Sequence, residues 1–159
     1  MPLSLSSPAF PHRGEIPEAY TCDGANTHPP LAWSGVPAGT RSLVLIVDDP
    51  DAPDPKAPTH THVHWVLFDI PPSVAGLPAG EGIPTAAREG LNSWKQRGYG
   101  GPCPPMGRHR YFFKLYALDS ALGDLDTSTK DGVERAMRGH VLEQAELVGT
   151  YERVTAGRR

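Results

Sequence analysis

The sequence predicts an all-β sandwich, and two observations carry this prediction. Three segments, residues 41–48, 62–70 and 110–118, are rich in β-branched and aromatic residues and are apolar on both faces. This pattern indicates strands that are buried between layers. The chain also contains 18 prolines and 17 glycines, and they separate the apolar runs, as expected of short strands joined by shaped loops.

The remaining segments are weaker in pattern. We expect further strands near residues 4–10, 31–33 and 149–154. Ser128–Asp131 resembles a capping box, and apolar residues recur at helical spacing from there to Val148, so this stretch is predicted to be helical. Gly139 should divide it into two short helices. The connection from Pro71 to Arg110 shows no clear strand or helix, and it is predicted to be a shaped, packed loop.

Length and composition limit the classes of function. We expect one domain, residues 1–159, with a formal net charge of −3 and a pI near 6.1, and this charge favours neither nucleic acid nor an anionic membrane surface. No apolar run is long enough to insert into a membrane, and the N-terminus shows no secretory signal, so we expect a cytoplasmic location. Cys22 and Cys103 fit either a disulfide or two small half-buried thiols.

Titratable residues lie at the ends of two predicted strands. Asp49 follows an apolar row at the end of the first strand, in a stiff corner that also holds Asp51. His60, His62 and His64 alternate at the start of the next strand, in a row expected to continue into Val66, Phe68 and Ile70. If the two strands are antiparallel neighbours, Asp49 and His64 meet. The three histidines span roughly 13 Å at about 3.3 Å per residue, which does not favour one shared metal ion.

A third segment, from Gly100 to Tyr111, combines glycines and prolines before the third strand. Such a loop presents main-chain N–H groups along a rigid wall. His109 then falls on the same strand face as Tyr111. Imidazoles, a phenol and loop amides over an apolar floor predict a pocket for a small anion, in which Asp49 fixes the tautomer or charge of a histidine and aims its free N–H at the ligand.

At these residues the chain resembles the phosphatidylethanolamine-binding protein family, in its bacterial Raf-kinase-inhibitor-like branch. The resemblance covers nearly the whole length. It rests on residues 48–53 (DDPDAP), on His64-Trp65, on residues 101–111 (GPCPPMGRHRY) and on Gly139-His140-Val141. Residues 22–26 (CDGAN), followed by Pro29-Pro30-Leu31, also match the bacterial pattern.

The resemblance implies two antiparallel sheets in a Greek-key sandwich and a surface pocket for phosphate or a phosphorylated headgroup such as phosphorylethanolamine. It implies a ligand-binding set made of Asp49, Asp51, His64, Pro102, Pro105, Gly107, His109 and Tyr111. It further implies no cofactor, a kinase or protease as a protein partner, and a homodimer. His62 and His28 depart from the family pattern, where a large aromatic residue and a serine are expected. The change at His62 alters one wall of the pocket.

The sequence leaves three functions to compare. The first is a non-enzymatic binding protein for a phosphorylated ligand. The second is an interaction protein that inhibits an enzyme and uses the pocket as a regulatory port. The third is a hydrolase using Asp/His chemistry, which is the least favoured because the sequence contains no Gly-x-Ser-x-Gly elbow and prolines flank Cys103. No catalytic or metal-binding residue is therefore assigned.

Overall fold

A computed structural model describes residues 2–80, 82–123, 125 and 128–153. The described strands are β1 (Ser4–Ser6), β2 (Leu31–Ser34), β3 (Ser42–Ala52), β4 (His60–Ile70), β5 (Gly76–Leu77), β6 (Arg88–Glu89), β7 (His109–Leu118) and β8 (Val141–Tyr151), with a short 3-10 turn at Glu18–Tyr20 and one helix, α1 (Lys130–Met137).

The strands form two antiparallel sheets, so the predicted fold class is confirmed. The smaller sheet has the order β1-β2-β5, and the larger has the order β6-β4-β3-β7-β8. Strands β3 and β4 pair as antiparallel neighbours, and β7 crosses over to pair with the other side of β3. Strand β3 is therefore the centre of the larger sheet, and its C-terminal end lies beside the starts of β4 and β7.

The centre of the larger sheet, strand β3 and the second half of β4, is buried on both faces, which explains its continuously apolar sequence. One face packs against the smaller sheet, with Leu43 and Phe113 from one side meeting Leu31 and Trp33 from the other. The opposite face, including Val44, packs beneath helix α1. Sandwiching between layers removes this apolar surface from water, which is the main driving force for the fold.

The predicted pair of C-terminal helices is wrong in its second half. Helix α1 begins after Thr129, whose side-chain hydroxyl accepts a hydrogen bond from the Gly132 N–H at 3.3 Å. After it the chain turns at Gly139, which has a φ of +82°, and continues as the long strand β8 rather than as a second helix. Strand β8 pairs with β7 along its whole length.

The long connection after Pro71 contains two strands of two residues each, β5 and β6. Its middle forms a packed wall rather than free coil. For example, the Tyr99 hydroxyl donates to the Tyr20 carbonyl at 2.7 Å. Among the described residues, no helix is long and apolar enough to cross a membrane.

Candidate functional site

A cavity of about 570 Å³ opens where the end of β3 meets the starts of β4 and β7. Of the predicted binding residues, the structure brings Asp49, His64, Pro105, His109 and Tyr111 to its wall. These residues come from three strands and one loop. They share a site because the pairing of β3 with both β4 and β7 places those strand ends at one edge of the sheet.

The other three predicted residues do not line the cavity. Asp51 accepts two hydrogen bonds from the Arg110 guanidinium, at 2.9 and 3.0 Å, and one from the Arg110 backbone N–H. The Arg110 side chain thereby lowers the pKa of Asp51. Pro102 uses its carbonyl to accept from the Cys22 N–H, and Gly107 lies in an exposed turn with a φ of +76°.

Asp49 pairs with His109, and the expected contact between Asp49 and His64 is not what the structure shows. The Asp49 carboxylate lies 2.6 Å from His109 Nδ1, and its other oxygen accepts the Asp51 N–H at 2.7 Å. Both side chains of the pair are at least 96% buried. Burial raises the pKa of Asp49, and the hydrogen bond from His109 opposes that rise.

His109 has no N–H left for a ligand, which corrects the role predicted for it. Its Nε2 faces the carbonyls of Pro53 at 3.0 Å and Met106 at 2.9 Å. Because carbonyl oxygens only accept, Nε2 carries a proton, and a second proton lies between Nδ1 and the Asp49 carboxylate. The pair is therefore neutral overall, and its hydrogen bonds hold the end of β3 to the loop before β7.

His64 is the extra residue of a β-bulge in strand β4. Val47 pairs with Trp65, but the next residue, Asp48, pairs with Val63. The bulge turns both His64 and Trp65 to the side of the inter-sheet core, so the predicted histidine row does not continue into Val66, which packs on the opposite face. Bulges often re-aim a side chain in this way next to a functional site.

The imidazole of His64 is buried and held in one orientation. Its Nδ1 donates to the Gly100 carbonyl at 2.7 Å, and the Gly100 N–H donates back to the His64 carbonyl at 3.0 Å. Burial, together with the neighbouring His62, lowers the pKa of His64 to about 3. The ring is therefore neutral at physiological pH, with its proton on Nδ1 and a lone pair on Nε2.

Three buried polar atoms at the cavity have no hydrogen-bond partner among the described residues: Tyr111 Oη, His64 Nε2 and His62 Nε2. The rings of His64 and Tyr111 lie 5.2 Å apart between centroids, and those of His62 and His64 lie 4.8 Å apart. Burial raises the pKa of Tyr111 above its ordinary value, so the phenol keeps its proton. Buried polar atoms are normally paired with protein groups or with ordered water, so this cluster is a candidate position for a ligand or for water.

The wall opposite the strands is anchored by a disulfide between Cys22 and Cys103, which settles the pairing that the sequence left open. Beside it, the Gly101 N–H donates to Asn26 Oδ1 at 2.8 Å. A Cβ at Gly101 would lie 2.4 Å from the Tyr20 carbonyl oxygen, so only glycine allows this close approach. The N–H groups of Gly100 and Gly101 are thus used within the protein and are not offered to a ligand.

Trp94 is a cavity residue that sequence reasoning did not assign. Its indole meets the His62 ring edge-on, with 4.3 Å between centroids, and remains 44% exposed at the mouth. A tryptophan in a long polar loop was the available signal, and its position could not be inferred without the fold. Among the described residues, no group of three His, Cys, Asp or Glu side chains has the arrangement of a metal site.

Comparison with known proteins places the chain in a family. A family model described as phosphatidylethanolamine-binding protein matches residues 6–152. A UPF0098 protein of Methanothermobacter thermautotrophicus is 49% identical over 157 residues, covering 95% of this chain and 99% of the relative. A UPF0098 protein of Chlamydia pneumoniae is 43% identical over 151 residues, covering 95% of this chain and 99% of the relative.

Solved structures agree with this match. A phosphatidylethanolamine-binding protein homologue of Chlamydia trachomatis has a TM-score of 0.89 at 42% identity, covering 96% of this chain and 99% of its own. YbcL of Escherichia coli, a member of the mammalian PEBP family, has a TM-score of 0.85 at 32% identity, covering 97% and 100%. The chain belongs to the phosphatidylethanolamine-binding protein family.

Proposed function

We propose that this protein binds a small phosphorylated ligand, such as phosphate or phosphorylethanolamine, in the cavity beside Tyr111 and His64 without chemically converting it. The observation that carries the proposal is the cluster of buried, unpartnered polar atoms at Tyr111 and the two histidines. The cavity volume of about 570 Å³ lies within the range of small-molecule sites. A ligand oxygen that accepts the Tyr111 O–H would satisfy a donor that is otherwise buried without a partner.

The chemistry of the other cavity residues supports binding over turnover. Asp49 and His109 are hydrogen-bonded to each other and to the backbone, so they position the site rather than reach the ligand. Cys103 is held in the disulfide, so it offers no thiolate as a nucleophile. The name of the family, which refers to a phosphorylated lipid, also agrees with a phosphorylated ligand.

The test is an NMR titration with O-phosphorylethanolamine and, separately, inorganic phosphate. We expect the ring signals of His64 and His62 to shift with saturation. Tyr111→Phe removes one hydrogen bond to a charged group and should weaken binding by roughly 10- to 100-fold. Tyr116→Phe is the matched control, because Tyr116 lies on the same strand but packs against the other face of the sheet.

Histidine signals that do not move at millimolar ligand would contradict the proposal. So would equal affinities for wild type and Tyr111→Phe.

A second candidate is a protein-interaction role, for which the resemblance suggests a kinase or protease as partner. The supporting observation is that Trp94 and Met106, both near the cavity mouth, are 44% and 50% exposed, and exposed Trp side chains often anchor interfaces. This role would be favoured if Trp94→Ala still binds phosphate but no longer co-purifies with a protein partner that the wild type retains. Retention of the same partner would count against it. The homodimer and the cytoplasmic location stay predictions.

A further inference from the structure

We propose that the cavity selects phosphate monoesters in their protonated, singly charged form over phosphate diesters, with the ligand's P–O–H group donating to His64 Nε2. The inference rests on the proposed function, since it specifies which phosphorylated ligands the cavity accepts. It separates small phosphorylated metabolites and other monoesters from the diester headgroup of an intact phospholipid.

The neutral ring of His64 is held in one tautomer. The Gly100 carbonyl can only accept, so the proton of the neutral ring lies on Nδ1, 2.7 Å from that oxygen. The cavity-facing Nε2 is therefore an acceptor, buried and without a partner among the described residues. A ligand satisfies it only by bringing a hydrogen-bond donor.

The groups around His64 matter because a neighbouring hydrogen-bond donor or cation could satisfy Nε2 without a donor from the ligand. Besides His64, the titratable and charged groups that face the cavity come from three strands and one loop. They are His60 and His62 on β4, Asp49 on β3, His109 and Tyr111 on β7, and Arg97 and Tyr99 on the loop between β6 and β7. The Asp49–His109 pair is neutral as a unit, and Tyr99 donates its hydroxyl to the Tyr20 carbonyl.

The cavity wall carries few charged groups. Burial and the neighbouring His60 lower the pKa of His62, which favours the neutral form of that ring. Arg97 is the only lysine or arginine among the described residues lining the cavity, and its Nη1 donates to the Glu89 carbonyl and to Ser128 Oγ. The inner part of the cavity therefore places a donor, the Tyr111 hydroxyl, next to the fixed acceptor at His64 Nε2.

The protonation state of the phosphate decides whether it fits this wall. A doubly charged phosphate would place an oxygen lone pair against the lone pair of His64 Nε2, which is repulsive. A singly charged monoester instead donates its P–O–H to Nε2 while another oxygen accepts from Tyr111. A diester also carries one negative charge, but it has no proton to donate.

The proton makes binding depend on pH in a defined way. The second ionisation of a phosphate monoester has a pKa of about 6. Above that value the complex holds one proton more than the free ligand and free protein together, so the affinity should fall about tenfold per pH unit. Below it the free ligand already carries the proton, and the affinity should be nearly constant. The same proton count holds if the proton moves to Nε2 in the complex.

Calorimetric titration with O-phosphorylethanolamine and with glycerophosphorylethanolamine tests the proposal, because these two ligands share the amine and differ in the ester. Between pH 5.5 and 7.5 the monoester affinity should fall roughly 25-fold, as follows from a ligand pKa of about 6. At pH 7.5, buffers of different ionisation enthalpy should report uptake of close to one proton. The diester should bind at least tenfold more weakly at pH 5.5, with no dependence on pH.

Two variants separate the roles of the two wall groups. In His64→Gln the side-chain amide can turn an N–H toward the ligand, so the affinity ratio between pH 5.5 and 7.5 should approach one. Tyr111→Phe should weaken the monoester at every pH and keep the wild-type ratio. The wild-type measurements decide the question even if His64→Gln does not fold.

Equal affinities for monoester and diester, or a monoester affinity that is constant over this pH range, would overturn the inference and leave the proposed function intact. Absence of binding by both ligands at every pH would instead reject the proposed function, and the inference with it.

Discussion

Mild acid should destabilise this protein through His64. Burial lowers the pKa of His64 in the folded state to about 3 from an ordinary value of 6.5. A group whose pKa is lower in the folded state contributes its full stability above the unfolded value and loses it as the pH falls toward the folded value. At pH 4.5, two units below the unfolded pKa, the free energy of unfolding should have fallen by roughly 3 kcal/mol from this residue alone.

The assay is urea unfolding of the wild type and of His64→Gln at pH 7.5 and pH 4.5. The variant should start less stable, because it loses the hydrogen bond to Gly100, but its further loss on acidification should be smaller than that of the wild type by about 3 kcal/mol. His60→Gln is the control, since His60 is exposed on the same strand and should keep the wild-type loss. A His64 ring signal that titrates near pH 6.5 in the folded protein, or an acid loss unchanged in the variant, would refute the reasoning.

Further substitutions test the packing and the pairs that hold the cavity wall. Asp49→Ala removes the hydrogen-bond partner of both His109 Nδ1 and the Asp51 N–H in a buried place, so it should lower the free energy of unfolding by about 3 kcal/mol, measured by urea titration; a loss below about 1 kcal/mol would contradict the pairing. Replacing Cys22 and Cys103 by serine opens a link between residues 81 apart and should lower stability by about 4 kcal/mol; an unchanged midpoint of thermal unfolding would argue against the disulfide. Gly149→Val should lower the free energy of unfolding by about 1 to 3 kcal/mol, because even a Cβ there would lie 2.6 Å from Cγ1 of the buried Ile16. A variant as stable as wild type would show that this contact can relax.

The sequence predicted the strongly buried parts of the fold well. The strands predicted over residues 41–48, 62–70 and 110–118 correspond to Ser42–Ala52, His60–Ile70 and His109–Leu118. Strand β3 and the second half of β4 are apolar because they are buried on both faces, so their composition directly reflects their surroundings. Strand β7 instead alternates between buried and partly exposed residues.

Strand β8 was mistaken for helix for a physical reason. Its first half lies at the sheet edge and is mostly exposed, with Val141 and Leu142 at 42% and 43%. It therefore lacks the alternation of a half-buried strand, while the spacing of Val141, Ala145 and Val148 imitates one helix face. Strand pairing with β7, a long-range contact, overrides this local signal.

The residue types of the site were predictable, but the partners were not. Strand alternation identified Asp49, His64, His109 and Tyr111 as neighbours of one cavity. It could not show the bulge at His64, nor the carbonyls of Pro53 and Met106 that occupy His109 Nε2. Hydrogen-bond partners supplied by loop backbone leave no trace in the side-chain pattern, and they decide which imidazole has a ring nitrogen free toward the cavity.

The most direct test of the account is a crystal structure of the protein with O-phosphorylethanolamine at pH 5.5. The account predicts a phosphate group within hydrogen-bond distance of both Tyr111 Oη and His64 Nε2, with the Asp49–His109 pair intact behind it. A ligand bound at another surface, with water alone between Tyr111 and His64, would contradict it.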